Sequence, residues 1–313
     1  MALILGRGLL TLRKITPPSS LSHKFNSPMS RFFGQKALSD PQASFAGRNV
    51  LITGANTGLG FEAAVKSANL GASKVVLGVR DLEKGERAKQ LIDQRTGKGE
   101  HVLLWHLDMN SYDSVQRFAA RASSDLEHLD VALLNAGVYS VNFKQSPYGW
   151  EETFQVNVLS TALLALLLLP KLQQSPGVSK LEFVSSRRHQ VFNLSSERRD
   201  APNLLHTFND ATTFKSSEQY QASKLFVMVI TQSLASVVNP TSNGVSVLAV
   251  CPGFCQSELS RGHQGIATSI LRGLLNMLVL RATEQGARTL VSGAALGPES
   301  HGKFWFDDEL HQV

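Results

Sequence analysis

Tyr220 and Lys224, in Tyr220-Gln221-Ala222-Ser223-Lys224, stand four residues apart, so a helix would place them on one face, a turn apart. An ammonium beside a phenol stabilises the phenolate and draws its pKa down from about 10. A phenol tuned in this way gives or takes a proton at a carbonyl or alcohol oxygen. The spacing alone identifies little; its company does more. Ser185-Ser186 closes the apolar run Leu181 to Val184, which puts a hydroxyl at a strand's C-terminal end, where ligands bind in open α/β sheets. The same two serines also suit the start of an ordinary loop. Asn157, in Phe154-Gln155-Val156-Asn157-Val158, is a polar residue in an apolar stretch. It either meets a polar partner or bends or caps its helix.

A second group of residues suits an anion. The apolar run Val50-Leu51-Ile52-Thr53 leads into Gly54-Ala55-Asn56-Thr57-Gly58-Leu59-Gly60. Glycines let backbone N–H groups approach a phosphate, and a helix opening near Gly58 presents its N-terminus to it. Strand, glycine turn and helix in that order read as a dinucleotide-binding βαβ unit. This nominates Thr53, Gly54, Asn56, Thr57, Gly58, Leu59 and Gly60 as cofactor contacts; a tight turn without a ligand is the alternative. The second strand ends at Val79-Arg80, and in this fold the tip of that strand reaches the adenosine ribose. An acid there would favour NAD. The guanidinium fork of Arg80 suits a 2′-phosphate and points to NADP(H); a solvated strand end is its other reading. Asp81 is expected to cap the next helix, where Lys84 and Arg87 add positive charge. Asp108 either bonds the adenine amino group or caps the helix that follows. Asn135-Ala136-Gly137 either lets the chain pass close beneath a cofactor or forms a plain strand-ending turn.

These residues need a scaffold that brings strand ends together. Short apolar runs at 49–53, 74–79, 101–107, 130–134, 180–185 and 244–250 alternate with helical stretches near 58–70, 82–95, 111–126, 150–174 and 217–238. Apolar strands separated by amphipathic helices predict a parallel sheet covered on both faces. The fold class is therefore α/β, a doubly wound parallel sheet of the Rossmann type, in one domain over 40–313. Leu159 to Leu169 is leucine-rich, runs up to Pro170, and is about half the length of a bilayer span. Such a helix is buried in the core or at a subunit interface, consistent with a monomer or a homodimer.

Composition narrows the classes further. Hydrophobic residues make up 42% of the 313, enough for a sizeable core. Two cysteines, Cys251 and Cys255, exclude a disulfide framework, and no metal site is expected. The net charge of +6 resides in residues 1–39, which hold Arg7, Arg13, Lys14, Lys24, Arg31 and Lys36 and no acid. The remainder balances 25 basic against 25 acidic residues, so nucleic-acid binding is not indicated. Residues 1–39 read either as a mitochondrial presequence or as an unstructured tail on a cytoplasmic protein whose chain starts in effect at Met29.

The ensemble resembles the short-chain dehydrogenase/reductase family over about residues 45–310. Thr53-Gly54-x-x-x-Gly58-x-Gly60, Asn135-Ala136-Gly137, Asn157, Ser186, Tyr220-x-x-x-Lys224 and Pro252-Gly253 occur in the family's order. The resemblance implies an NADP(H)-dependent enzyme that interconverts a carbonyl and an alcohol on a small apolar molecule. It implies that Ser186 bonds the substrate oxygen, that Tyr220 exchanges the proton, that Lys224 holds the nicotinamide ribose, and that Asn157 anchors a water next to Lys224. Reduction of a conjugated C=C bond, or a non-catalytic NADP-sensing protein, are the rival implications. Val79-Arg80-Asp81-x-x-Lys84-Gly85, Leu134 to Val138 and Pro298 to Lys303 resemble the branch of retinol dehydrogenases and protochlorophyllide reductases. Two departures stand out. Ser257 replaces the threonine that many relatives place against the carboxamide, and the apolar N-terminal anchor of the membrane-bound retinol enzymes is missing. The stripe Ile266, Ile270, Leu271, Leu274, Met277 and Leu278 either covers an apolar substrate, rests on a membrane surface or packs on the core.

Overall fold

The computed structural model describes residues 38–241, 244–255 and 280–313. The N-terminal stretch, Ser257 and the apolar stripe from Ile266 to Leu278 lie outside the described residues. Six strands form where the short apolar runs predict them: β1 (Asn49–Thr53), β2 (Lys74–Val79), β3 (Val102–His106), β4 (Val131–Leu134), β5 (Ser179–Val184) and β6 (Val245–Cys251). In β1, β4 and β6 every residue is buried, the pattern of strands covered on both faces. Two further strands, β7 (Lys303–Phe306) and β8 (Glu309–His311), complete one sheet in the order β3-β2-β1-β4-β5-β6-β7-β8. All neighbours pair in parallel except β7 and β8, an antiparallel hairpin. The chain winds outward from β1 in both directions, so the switch point lies between β1 and β4.

Among the described residues, six helices cover the sheet: α1 (Gly58–Asn69), α2 (Leu82–Thr96), α3 (Tyr112–Asp125), α4 (Glu152–Leu172), α5 (Ser216–Ala235) and α6 (Thr283–Ala295). One core layer joins α1, α2 and α6 to the sheet through residues such as Ala64, Ile92 and Leu290. The opposite layer joins α3, α4 and α5 through Phe118, Leu164 and Phe226. The sequence does not announce α6, because only Leu290 and Val291 among its buried positions are large and apolar; Gly286, Ala287, Thr289, Gly293 and Ala294 are small.

The leucine-rich run lies within a helix that fills the stretch expected near 150–174. The helix continues through Pro170 to Leu172. It spans 21 residues and is long and apolar enough to cross a membrane, but 72% of its apolar window is buried in the protein. Near its start, Gln155–Ser160 takes π-helical geometry, and the Thr161 hydroxyl donates to the Val156 carbonyl at 2.8 Å. Such π-turns hold one more residue per turn than the surrounding helix and recur at functional sites.

Candidate active site

The predicted site residues gather at the C-terminal ends of the parallel strands. At β1, Gly54 and Gly58 adopt φ of +66° and +60°, a left-handed backbone that glycine takes without penalty. Gly60 is required for a different reason. A Cβ there would lie 2.5 Å from Asn135 Nδ2 and 2.5 Å from the Gly54 carbonyl oxygen. Asn135 Nδ2 donates to the Thr53 carbonyl at 2.9 Å, and the Ala136 N–H donates to Thr53 Oγ1 at 2.9 Å. Thr53, Gly54, Gly60, Asn135 and Ala136 are thus one interlocked turn joining β1, α1 and β4. Gly58 faces open space, with no atom within 4 Å of a Cβ. Asn56, Thr57 and Leu59 are part-exposed around it. A helix N-terminus without a side-chain cap, beside a Cβ-free cradle, fits the phosphates of a dinucleotide.

Arg80 follows β2 directly, is exposed, and has no hydrogen-bond or ionic partner among the described residues. Asp81 caps α2 as expected, its Oδ1 accepting from the Lys84 N–H at 3.0 Å. Asp108 is not the cap of the next helix. Ser111 caps α3, while Asp108 Oδ1 closes a local turn by accepting from the Asn110 N–H at 2.9 Å.

The proton-handling group lies between β4, β5 and α5. Lys224, buried on α5, donates from Nζ to the Val184 carbonyl at 2.9 Å. Burial pulls its ammonium down to about 8. A Cβ on Gly137 would sit 3.3 Å from Asn157 Oδ1 and 3.8 Å from Lys224 Nζ, so the small residue makes room for both. Asn157, in the π-turn, clamps the β4 exit: Oδ1 accepts from the Val138 N–H at 2.8 Å and Nδ2 donates to the Val138 carbonyl at 2.9 Å. It has the polar partners that its apolar surroundings demand.

Tyr220 lies one turn before Lys224, whose Nζ is 5.6 Å from the phenol ring centroid. In the protein alone, burial raises the Tyr220 pKa, with the buried Cys251 thiol adding to the rise. The Ser186 hydroxyl and the Arg188 charge oppose it. The lowering expected from Lys224 is therefore outweighed here, since desolvation disfavours the phenolate and the ammonium is engaged by Val184. Ser186 is held by its own turn, Oγ accepting from the Arg188 N–H at 3.2 Å. His189 Nδ1 meets the Ser186 carbonyl at 2.6 Å.

Pro252 and Gly253 leave β6 beside this group, Gly253 with φ of +81°. Three further residues contribute here, of which the sequence left only Arg281 outside the stretches expected to wall the substrate site, 138–143, 187–213 and 254–280. Buried Arg281 donates from one arm to the Pro252 carbonyl at 3.2 Å and from the other to Asp307 at 2.6 Å, tying the loop to the β7–β8 turn. Tyr139 sets its ring against that of Tyr220, centroids 5.1 Å apart at 63°. The Arg187 guanidinium lies over the Phe306 ring at 4.2 Å. Nothing local in the sequence signals Arg281. Farther down β5, Glu182 is fully buried and neither carboxylate oxygen has a hydrogen-bond partner. Burial pushes its pKa well up, against the opposing charge of Lys180.

Comparison with known proteins agrees with this geometry. The profile of the short chain dehydrogenase family matches residues 48–191. A short-chain dehydrogenase/reductase of Phaeosphaeria nodorum, phmF, is 43% identical over 291 residues, 91% of this chain and 85% of the relative. Another, ffsI of Aspergillus flavipes, is 42% identical over 277 residues, 87% and 80% of the two chains. Among solved structures, a short-chain dehydrogenase of Shigella flexneri superposes with a TM-score of 0.65 at 23% identity, covering 90% of this chain and all of that one. A second Shigella flexneri structure, complexed with NADP, gives 0.62 at 23% identity over 88% of this chain and all of that one. At such identities the likeness establishes the fold.

Proposed function

This chain belongs to the short-chain dehydrogenase/reductase family, and from that premise we propose that it is an NADP(H)-dependent enzyme interconverting a carbonyl and an alcohol. The observation that carries the reading is the grouping of Ser186, Tyr220 and Lys224 where β5, β6 and α5 meet. When bound, the nicotinamide supplies the hydride that adds to the carbonyl carbon. The C=O electron pair then moves onto oxygen, which takes a proton to become the alcohol. Ser186, its Oγ accepting from the Arg188 N–H and its hydroxyl bonded to Tyr220, turns its hydrogen to that oxygen when substrate binds. Tyr220 supplies the proton. A phenol whose pKa is raised by burial holds its proton until a charge develops beside it. Lys224 Nζ leaves or shares the Val184 carbonyl to stabilise the resulting phenolate and to hold the ribose. Asn157 keeps the Val138 exit fixed beneath both and anchors the water through which Lys224 is reprotonated.

NADP is favoured over NAD because Arg80, unpartnered at the tip of β2, offers its fork to a 2′-phosphate; the fold is one that holds NADP in the Shigella flexneri structure. Asp108 and Ser257 are assigned to the adenine and carboxamide ends. Membership of the retinol dehydrogenase and protochlorophyllide reductase branch is supported by two of its motifs. Arg80-Asp81 joins a cation to a helix cap, and His301 joins the Val247 N–H at 3.3 Å to the Ala235 carbonyl at 2.9 Å.

The test is stopped-flow reduction of an aldehyde and ketone panel by NADPH, beside fluorescence titration of NADPH. Tyr220→Phe should lower kcat at least 10²-fold, the lower end of a general acid's contribution, with NADPH affinity nearly unchanged. Lys224→Ala should lose both. Parental turnover by Tyr220→Phe would mean that another group is the acid.

A further inference from the structure

The phosphate cradle lies at the exit of β1, and Arg80 at the tip of β2. The sheet runs β2-β1-β4-β5-β6. A dinucleotide with its adenosine over β2 therefore carries its nicotinamide toward β4, β5 and β6, where Lys224 and Ser186 stand. The exit of β6, Pro252 to Cys255, is the next wall on that side. Gly286 of α6 shows how near it comes to the cradle. A Cβ there would lie 2.7 Å from Leu59 Cδ2, beside the cradle, 3.5 Å from Pro252 Cβ, and against Cys255 Sγ.

This exit contains a glycine at φ of +81°, Gly253, whose backbone could take other shapes. Arg281 bonds the carbonyls on both sides of it. Its backbone N–H donates to the Phe254 carbonyl at 2.8 Å, and one guanidinium arm donates to the Pro252 carbonyl at 3.2 Å. The Cys255 thiol donates to that same Pro252 carbonyl at 3.2 Å. The other arm of Arg281, whose side chain is only 5% exposed, reaches Asp307 at 2.6 Å. Asp307 and Asp308 form the β7–β8 turn with φ of +52° and +56°, a conformation that costs a residue with a Cβ and that glycine commonly relieves in such turns. Here both side chains are used instead. Asp307 holds Arg281, and Asp308 Oδ2 accepts from the Ser39 N–H at 3.1 Å. The turn is thus a fixed post, and Arg281 is the strut between it and the β6 exit.

We propose that Arg281 is a positioning residue for the nicotinamide end of the cofactor. It fixes the backbone on either side of Gly253 so that the β6 exit offers the ring one shape. This rests on the dinucleotide reading above and adds a residue to it that touches neither cofactor nor substrate. The effect is local: loss of the strut is felt at the nicotinamide end, while the adenosine and phosphate end, held by β1, α1 and β2, is unaffected.

Two ligands isolate that end. NADP⁺ and 2′-phospho-ADP-ribose are the same molecule with and without the nicotinamide. Their dissociation constants are measured by calorimetry on the full-length protein, beside thermal unfolding of each variant. Arg281→Met should weaken NADP⁺ about ten-fold, the worth of one charge-assisted bond, and leave 2′-phospho-ADP-ribose nearly unchanged. Asp307→Ala should act in the same direction, and the double variant should be no worse than Arg281→Met, since the two residues act as one unit. Arg281→Lys, which keeps the charge but not the fork, should restore part of the loss; if Arg281→Met does not fold, Arg281→Lys carries the same comparison. Equal weakening of both ligands in step with lost thermal stability makes Arg281 merely structural and overturns the proposal. So does unchanged NADP⁺ affinity, or a parent that binds the two ligands equally. No substrate is needed, so failure of carbonyl turnover leaves this test intact. If the parent takes NAD⁺ instead, NAD⁺ and ADP-ribose give the same comparison, and only the choice of NADP falls.

Discussion

Gly58 and Gly60 sit two residues apart in the same turn, and the structure predicts that alanine at each does different damage. Gly58 has φ of +60° and nothing within 4 Å of a Cβ. Alanine there incurs only the left-handed backbone penalty, about 1–2 kcal/mol. Asparagine, which tolerates that region, should recover much of it. Gly60 has no such backbone demand, and a helix would gain about 1 kcal/mol from alanine. Its Cβ, however, would stand 2.5 Å from the Gly54 carbonyl oxygen and 2.5 Å from Asn135 Nδ2. Reaching ordinary contact means opening each gap by about 0.9 Å. The Gly54 backbone cannot yield freely, since its N–H is bonded to the Gly78 carbonyl at 2.8 Å. Displacing Asn135 breaks its 2.9 Å bond to the Thr53 carbonyl. Overpacking costs about 1–3 kcal/mol and a carbonyl left unpaired about as much again, so after the helical gain the net loss is about 1–5 kcal/mol. Urea unfolding of Gly58→Ala, Gly58→Asn and Gly60→Ala, each set against the parent, measures the difference. The reasoning fails if Gly60→Ala is as stable as Gly58→Ala, or if Gly58→Asn is no better than Gly58→Ala.

Other expectations follow from single residues. Arg80→Ala should raise the NADPH KM about ten-fold or more with little change for NADH, since a charge-assisted bond contributes about 1.5–3 kcal/mol; equal effects on both cofactors would show that Arg80 does not read the phosphate. Glu182 is held protonated in the fold by burial, so its contribution is full below its unfolded pKa of about 4.5 and is lost as pH rises toward its raised folded value. Parent stability should therefore fall relative to Glu182→Gln by up to about 1.4 kcal/mol per pH unit over that window; parallel pH profiles in chemical denaturation would contradict this. A chain starting at Met29 should fold and keep its specific activity, and residues 1–39 fused to a fluorescent protein should mark mitochondria if they act as a presequence; diffuse cytosolic signal counts against that role.

What could be read from the sequence was whatever a short window encodes. The six strands in sequence order, from Asn49–Thr53 to Val245–Cys251, were visible as continuous apolar runs bounded by turn residues. The cap at Asp81 and the one-turn pairing of Tyr220 with Lys224 are likewise local. Features that depend on distant partners were not visible. Helix α6 buries mostly small residues beside Leu290 and Val291, so it lacks a long apolar stripe. Arg281 acts only because Pro252 and Asp307 are folded next to it. The balance at Tyr220 depends on burial, which no spacing reports, and it reversed the expected direction. Asp108 failed as a cap because Ser111, three residues on, already fills that position.

The π-turn at Gln155–Ser160 has a consequence for how α4 tolerates change. Each residue of an α-helix advances its side chain by about 100°, so one residue absorbed in a wide turn rephases everything after it. The turn itself is committed to the β4 exit, through Asn157 and Val138. The stretch after it is committed to the sheet, through Leu164, Leu168 and Leu172. Deleting one residue here would straighten the helix while leaving composition almost untouched. It would also force a choice between phases: either the leucines keep the core and the asparagine swings away from Val138, or the asparagine stays and the leucines rotate into water. Length variation in this segment is thus barred by geometry, whereas the side chains between the two anchored ends remain open to substitution.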